Sequence, residues 1–366
     1  MTDATLQAWS LNQLQFHLRH ARPVSKADLR ALDLRGQSLA DAVLQNCDLS
    51  GMLLSATDLT RSTFIDCRMP QVDLRGAALQ HTRFIRCTLD GLLCGDADMA
   101  QACFTDCTLI GAQGKGLRLG NTALSNSDLG NADLQAARLT SVVLWRCNFA
   151  HTNLGGAVLA QTALSDTDLR STGLLGLSAM YSALMKNDLS GQALGSVALQ
   201  SCQLQESRFS GADLSGANLA GSNLMQVHFE GTRMVGLLAP RALLLSARFD
   251  DCDASGADFT GVMFYNARLS RSTFAGAKLA GTSWEKSRAQ DMQYAGADLT
   301  DARFDHAAFS KVDFSRTRLD RSSFHNFVLT QARLAGASRR GQRGTNAALL
   351  RAEQANLELE ELPCIP

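Results

Sequence analysis

Neither sign of charge dominates this sequence. Lysine and arginine number 35, aspartate and glutamate 35, and the formal net charge is zero. Such a chain lacks the overall basic footprint of a nucleic-acid binder, and it lacks the acidic excess of a protein that imitates DNA. Aromatic residues are scarce at 6%, charged residues make up only 19%, and there are five prolines. No stretch approaches the roughly 18 apolar residues of a membrane span. The amino terminus, Met1-Thr-Asp-Ala-Thr-Leu-Gln-Ala-Trp9, has no basic region followed by an apolar run, so it does not read as a secretory signal. The expected location is the cytoplasm.

Motifs that carry chemistry are missing too. Of His17, His20, His81, His151, His228, His306 and His325, only His17 and His20 share a helical face, and one such pair reads as polar surface. No cysteine pair has zinc-finger spacing with partners in the right order. Asp251-Cys-Asp253-Ala-Ser-Gly256 opens like a calcium loop, but its twelfth position is Val262 instead of glutamate. Gly114-Lys115-Gly116 lacks the rest of a phosphate loop, and no nucleophile elbow or dinucleotide fingerprint is present. The expectation is a non-enzymatic protein with no metal and no cofactor.

What is abundant is leucine, alanine and glycine, in a five-residue rhythm. Ala212-Asp213-Leu214-Ser215-Gly216 is followed by Ala217-Asn218-Leu219-Ala220-Gly221. With the large apolar residue as the centre, centres fall at every fifth position from Leu29 to Leu334, 62 in one register. All but Cys94, Gly114, Ala179, Ala239, Ala254 and Ala289 are Leu, Phe, Met, Trp or Tyr. Two residues earlier the position is mostly Ala, Ser, Thr, Cys or Val, as at Ala27, Cys47, Ala132 and Ala297. Period five fits neither a helix nor a flat strand. It fits a chain that turns a corner every five residues and points one large and one small side chain inward.

This pattern resembles the pentapeptide-repeat family, A-[DN]-L-x-x, over about 85% of the chain. The resemblance implies an all-β solenoid, a right-handed quadrilateral parallel β-helix with four pentapeptides per 20-residue coil. It implies about 15 coils and, at ~4.8 Å between strands, a rod of roughly 70–75 Å. The sequence itself repeats at 20: Cys47, Cys67, Cys87, Cys107 and Cys147, with Ser127 in the gap; Phe64, Phe84 and Phe104, resuming at Phe264, Trp284, Phe304 and Phe324; and Phe209, Phe229 and Phe249. The cysteines read as small buried hydrophobes with reduced thiols, because stacked coils hold them parallel. Pro70 and Ala239-Pro240 are expected to mark irregular coils, since proline cannot donate to a ladder.

Residues 1–24 are expected to form a helical cap, with Leu6, Trp9, Leu14 and Leu18 along one stripe of residues 4–20. The β-helix is expected over 25–338. A linker containing Arg339, Arg340 and Arg343 and a helix from Thr345 to about Leu362 are expected in 339–366, with Leu350 and Leu357 spaced for a homodimer contact.

With the inward positions spent on the core, function is sought in the outward ones. One column differs from its sisters: Ile65, Ile85, Thr105, Ser125, Trp145, Ser165, Met185, Gln205, Met225, Leu245 and Tyr265 follow successive centres. The neighbouring column adds Val43, Val143, Leu243 and Met263. An apolar, aromatic face of this kind marks a protein partner. The leading expectation is a rigid rod that docks a protein partner, by analogy an accessory of type VI secretion effectors. The alternative implied by the resemblance is a DNA-mimicking binder of DNA gyrase.

Overall fold

Each five-residue step is held by backbone bonds to its neighbouring coils and closed at its corner by one backbone bond and one side-chain cap. In the step around Leu49, the N–H of Leu49 donates to Arg68 O at 2.8 Å and that of Asp48 to Ala27 O at 2.9 Å, joining coils above and below. The N–H of Gly51 reaches Pro70 O at 2.8 Å, and that of Met52 closes the corner on Leu49 O at 3.1 Å. The remaining donor, the N–H of Ser50, goes to the Asp48 carboxylate at 2.9 Å. Asp or Asn before a centre therefore caps the corner that follows it. The residue two beyond the centre sits at positive φ, as at Gly51 (67°) and Asn46 (54°), which explains the frequent Gly, Asn and Asp there.

In the computed structural model, which describes residues 6–360 and side chains through 354, the chain divides into two compact units, Met1–Gln203 and Leu204–Pro366. Each is a four-sided parallel β-solenoid with pairing at 20-residue steps. In the amino-terminal unit one extended face runs from Val24–Ser25 through Val43–Gln45 and Thr63–Ile65 to Val143–Trp145 and Ala163–Ser165. A second comprises the strands from Arg118–Gly120 to Ala198–Gln200. In the carboxy-terminal unit the extended face runs from His228–Glu230 to Val328–Thr330. All pairs are parallel and in register, as Phe64↔Phe84↔Phe104 and Phe229↔Phe249.

The interior follows the large-and-small rule. Phe64, Phe84 and Phe104 stack with centroids 5.1 and 4.9 Å apart. Phe264 and Trp284 stack at 4.0 Å. Small positions carry a second duty: Thr57 Oγ1 donates to Leu34 O at 2.9 Å and Cys67 Sγ to Leu44 O at 3.4 Å, across one coil. The nine cysteines among the described residues are free thiols, and burial pushes Cys94 up to about 12 and Cys252 up to about 11. Three of the irregular centres are exchanges of size. Cys94, Ala179 and Ala239 follow the buried Leu92, Leu177 and Leu237 in the small position. Gly114 makes room for packing: a Cβ there would lie 2.9 Å from Leu134.

Several expectations are corrected. Val24, fully buried and paired with Leu44, is a further centre before Leu29. Pro70 and Pro240 stand in regular coils, because the position after a centre sends its N–H to a side chain and not to the ladder; the residues two before them, Arg68 and Leu238, are correspondingly not Asp or Asn. The amino-terminal cap is a strand, Gln7–Ala8, paired to Ala27–Asp28, followed by helix α1, Leu11–Arg19. Ser10 and Gln13 cap each other's backbone at its start, and of the expected stripe Leu14 is fully buried. The stretch expected as a linker is coil: Ser323 pairs with Arg343, and the N–H of Phe324 donates to Arg343 O. Helix α2 spans Ala347–Glu360, capped by Asn346; Leu357 and Leu362 lie outside the residues whose side chains are described.

Candidate partner-binding faces

On an extended face both neighbours of a centre point outward, so Val143 and Trp145 flank the buried Leu144 as a pair. They are half exposed, at 50% and 51%. The guanidinium of Arg146 lies 4.4 Å from the Trp145 ring centroid, a cation–π contact that holds the indole against the surface. Ile65, Ile85 and Met185 belong to the same face and are partly exposed, and Val43 is exposed at its early end. Thr105, Ser125 and Ser165 interrupt it, so the apolar groups are clustered rather than continuous.

The most exposed apolar side chains of this unit lie outside that column. Leu175 is 74% exposed and Tyr181 68%, with Val158 and Met180 on the second extended face between them. In coil order the second face leads through the corner at Tyr181 into the face that bears Met185, Val143 and Trp145. Tyr181 has φ of 51°, and its neighbours at positive φ are otherwise Gly, Ala, His or polar residues. A bulky aromatic is disfavoured in that conformation. The signal was present in the sequence, as a Tyr at a corner position, but scanning a single column passed over it.

In the carboxy-terminal unit Leu243 and Met263 are bridge partners on adjacent coils, 36% and 49% exposed. Met225, Leu245 and Tyr265 are partly exposed beside them. The ammonium of Lys286 lies 5.5 Å from the Tyr265 ring centroid. The sequence-derived residues thus fall into a cluster in each unit.

The apparent calcium loop is spent on the repeat, with Asp251 paired to Arg271 at 2.8 Å and Asp253 accepting the N–H of Ser255. Sequence spacing did miss one polar group. His306, His325 and Glu353 converge, with Nε2 of the two imidazoles 3.4 and 3.1 Å from the Glu353 carboxylate. By count these three could hold a cation. However, the backbone N–H of Asn346 donates to His325 Nδ1 at 3.2 Å. That assigns the His325 proton to Nε2, facing Glu353, whereas a ligating imidazole needs an acceptor at its far nitrogen. The group is better suited to clamp α2 onto the last coils.

Family models match in segments: a pentapeptide repeat region over 25–93, and a model described as pentapeptide repeats (8 copies) over each of 132–170, 194–236, 242–281 and 297–336. No curated protein matches. Among solved structures, the chain is similar to a trypsin-treated form of QnrB1, a plasmid-mediated fluoroquinolone resistance protein: 19% identity, 54% of this chain and 89% of that one, TM-score 0.30. It is similar also to HetL, a pentapeptide repeat protein involved in heterocyst differentiation regulation in the cyanobacterium Nostoc, at 20% identity over 91% and 96% of the chains, TM-score 0.12. The matched segments, the five-residue corners and the 20-residue pairing coincide, and the chain belongs to the pentapeptide-repeat family.

Proposed function

We propose that this protein is a non-enzymatic interaction protein that docks a protein partner through apolar side chains held outward on its coils. The principal contact is the surface of the amino-terminal unit that carries Val143, Trp145, Val158, Met180 and Tyr181. Leu243, Met263 and Tyr265 form a second in the other unit. The observation that carries this reading is Tyr181, a large aromatic at a left-handed corner where it gains nothing from the core and stands two-thirds exposed. Aromatic and Met side chains set among polar neighbours are the usual anchors of protein interfaces.

The test is affinity capture from native lysate with the wild-type chain and with Trp145→Ser/Tyr181→Ser. The reading requires a protein that is captured by the wild type and lost with the variant, while circular dichroism and melting stay unchanged. Identical sets of captured proteins would sink it.

A gyrase-binding DNA mimic would need a sustained negative face. The amino-terminal unit does carry Asp28, Asp48 and Asp168 in one column, but Arg30 and Arg170 pair with them, and Arg170 holds the Asp168 carboxyl down to about 2. Unchanged supercoiling by gyrase at micromolar protein removes that alternative. Nothing in the geometry points to a secretion effector as the partner.

A further inference from the structure

Arginines in this protein often meet a carboxylate one coil away or two residues back. Arg61 pairs with Asp41, Arg86 with Asp66 and Arg321 with Asp301, each at 2.7 Å, and Arg75 pairs with Asp73 at 2.7 Å. One column of the carboxy-terminal unit departs from this. Arg208, His228, Arg248, Arg268 and Arg288 stand in register on successive coils, all exposed. Among the described residues none of the five has an ion-pair partner. Asp250, on the same face, is bonded by the Ser270 hydroxyl instead. Stacking three guanidiniums, Arg248, Arg268 and Arg288, at the strand spacing of ~4.8 Å is repulsive, and among the described residues no ion pair offsets it. Arg118 and Arg138 make a two-residue version in the other unit.

Arg208, His228, Arg248 and Arg268 form one wall of a surface groove of about 500 Å³, and the column continues to Arg288 in the next depression, which shares Arg268. Gln226, Ser246 and Asn266 at the adjoining corner supply hydrogen-bonding groups along the opposite wall. Glu206 lines the groove too, and Glu230 and Asp250 lie across the strands. A wide polyanion would press its outer charges against these carboxylates. A single file of anions would not.

We propose that this groove binds an α-helix of a partner protein that carries about one carboxylate per turn along one face. The pitch decides it. Four coil steps from Arg208 to Arg288 span ~19 Å. Four helical turns of 5.4 Å span ~22 Å, a mismatch that long arginine side chains absorb. Alternate residues of an extended strand span ~27 Å over four steps, which they do not. Duplex nucleic acid places a charge every ~1.7 Å along its axis, far denser than the column. Bidentate pairing of guanidinium with carboxylate supplies the specificity. The site is separate from the apolar surface of the amino-terminal unit, so either can fail alone.

The test is fluorescence anisotropy with the full chain and three labelled probes. One is a designed helical peptide with five glutamates in one row, one is its isomer with the same glutamates spread around the helix, and one is a single-stranded oligonucleotide of similar length. The row peptide should bind at least tenfold more tightly than its isomer and lose affinity as salt rises. Arg248→Gln/Arg268→Gln should weaken it at least tenfold, while Arg316→Gln, which removes one charge elsewhere on the unit, should leave it unchanged. Circular dichroism checks that the exposed substitutions leave the coils intact. Equal binding of both peptides, an unchanged double variant, or tighter oligonucleotide binding with the same arginine dependence would each overturn the proposal.

Discussion

The two units obey one rule with different volumes. In the amino-terminal unit four centres are aromatic, Phe64, Phe84, Phe104 and Phe149, and most of the rest are Leu, with Thr, Cys and Ser frequent among the small positions. In the carboxy-terminal unit twelve centres are aromatic, from Phe209 to Phe324, and the small position is most often Ala. Larger centres go with smaller partners. What the coil fixes is therefore the sum of two side chains over a shared cross-section, and neither identity alone, as expected of interiors packed near crystal density. The comparison breaks first at the largest ring. Trp284, fully buried, stacks on Phe264 and donates from Nε1 to Thr282 Oγ1 at 2.8 Å. Trp284→Ala should cost about 4 kcal/mol, and Leu124→Ala in the other unit about 3 kcal/mol. Urea unfolding followed by circular dichroism measures both. A smaller loss at Trp284 would mean that the aromatic columns add nothing to the rule.

The same rule predicts a rescue. Leu177→Ala removes the large member of an exchanged pair and should cost about 3 kcal/mol. Adding Ala179→Leu restores the ordinary order, small then large, and should recover more than half of the loss. Additive damage in the double variant would show that the two positions do not share one space.

The architecture was legible because it rests on repetition. Each in-frame centre repeats the same evidence, and the 20-residue columns of Phe and Cys are pairings written directly into the chain. The exchanges at Leu92, Leu177 and Leu237 were not legible, because a Leu two residues before a small centre looks like a fault until both are seen to fill one space. The cap strand at Gln7–Ala8 was missed since two residues carry no period. The surface was only half readable. The apolar columns exposed Trp145 and Val143, but Tyr181 and Leu175 sit on other columns, and Tyr181 becomes a neighbour of that face only once the corner order is known. The clamp of His306 and His325 on Glu353 joins residues 28 apart in sequence or more, at the junction of coil and helix where the register ends.

A smaller effect sharpens the contrast from the carboxy-terminal side. The rings that fill this unit bring polar atoms with them, and Tyr294 Oη is buried without a hydrogen-bond partner. Burial pushes its ionisation well up from the ordinary range. Tyr294→Phe keeps the stack on Phe274 and Phe314, centroids 5.6 and 5.1 Å away. It should stabilise the unit by about 1 kcal/mol, since a desolvated hydroxyl with no partner is lost. Destabilisation on measuring the urea midpoint would mean the hydroxyl is bonded after all.

The smallest expected effect is on α2, which has no counterpart in the rule of large and small. Its tether is polar: the hydrogen bond from His325 holds the Glu353 carboxyl below its ordinary value of 4.5, with the nearby His306 charge adding to it. A carboxylate whose folded value is depressed contributes to docking above its unfolded value, and the contribution is lost as pH falls through the folded one. Docking of α2 should therefore hold at neutral pH and weaken below about 4.5. The groups facing this carboxylate are His306 and His325; Asp305, which accepts the His325 backbone N–H at 2.9 Å, helps to fix the ring position. Amide exchange across Ala347–Glu353 should quicken as pH is lowered through that window, after correction for intrinsic rates. Glu353→Gln should quicken it at neutral pH and remove the pH step, while leaving the coil amides protected. An unchanged step in Glu353→Gln would place the titrating group elsewhere and leave α2 held by its capping bonds to Asn346 alone.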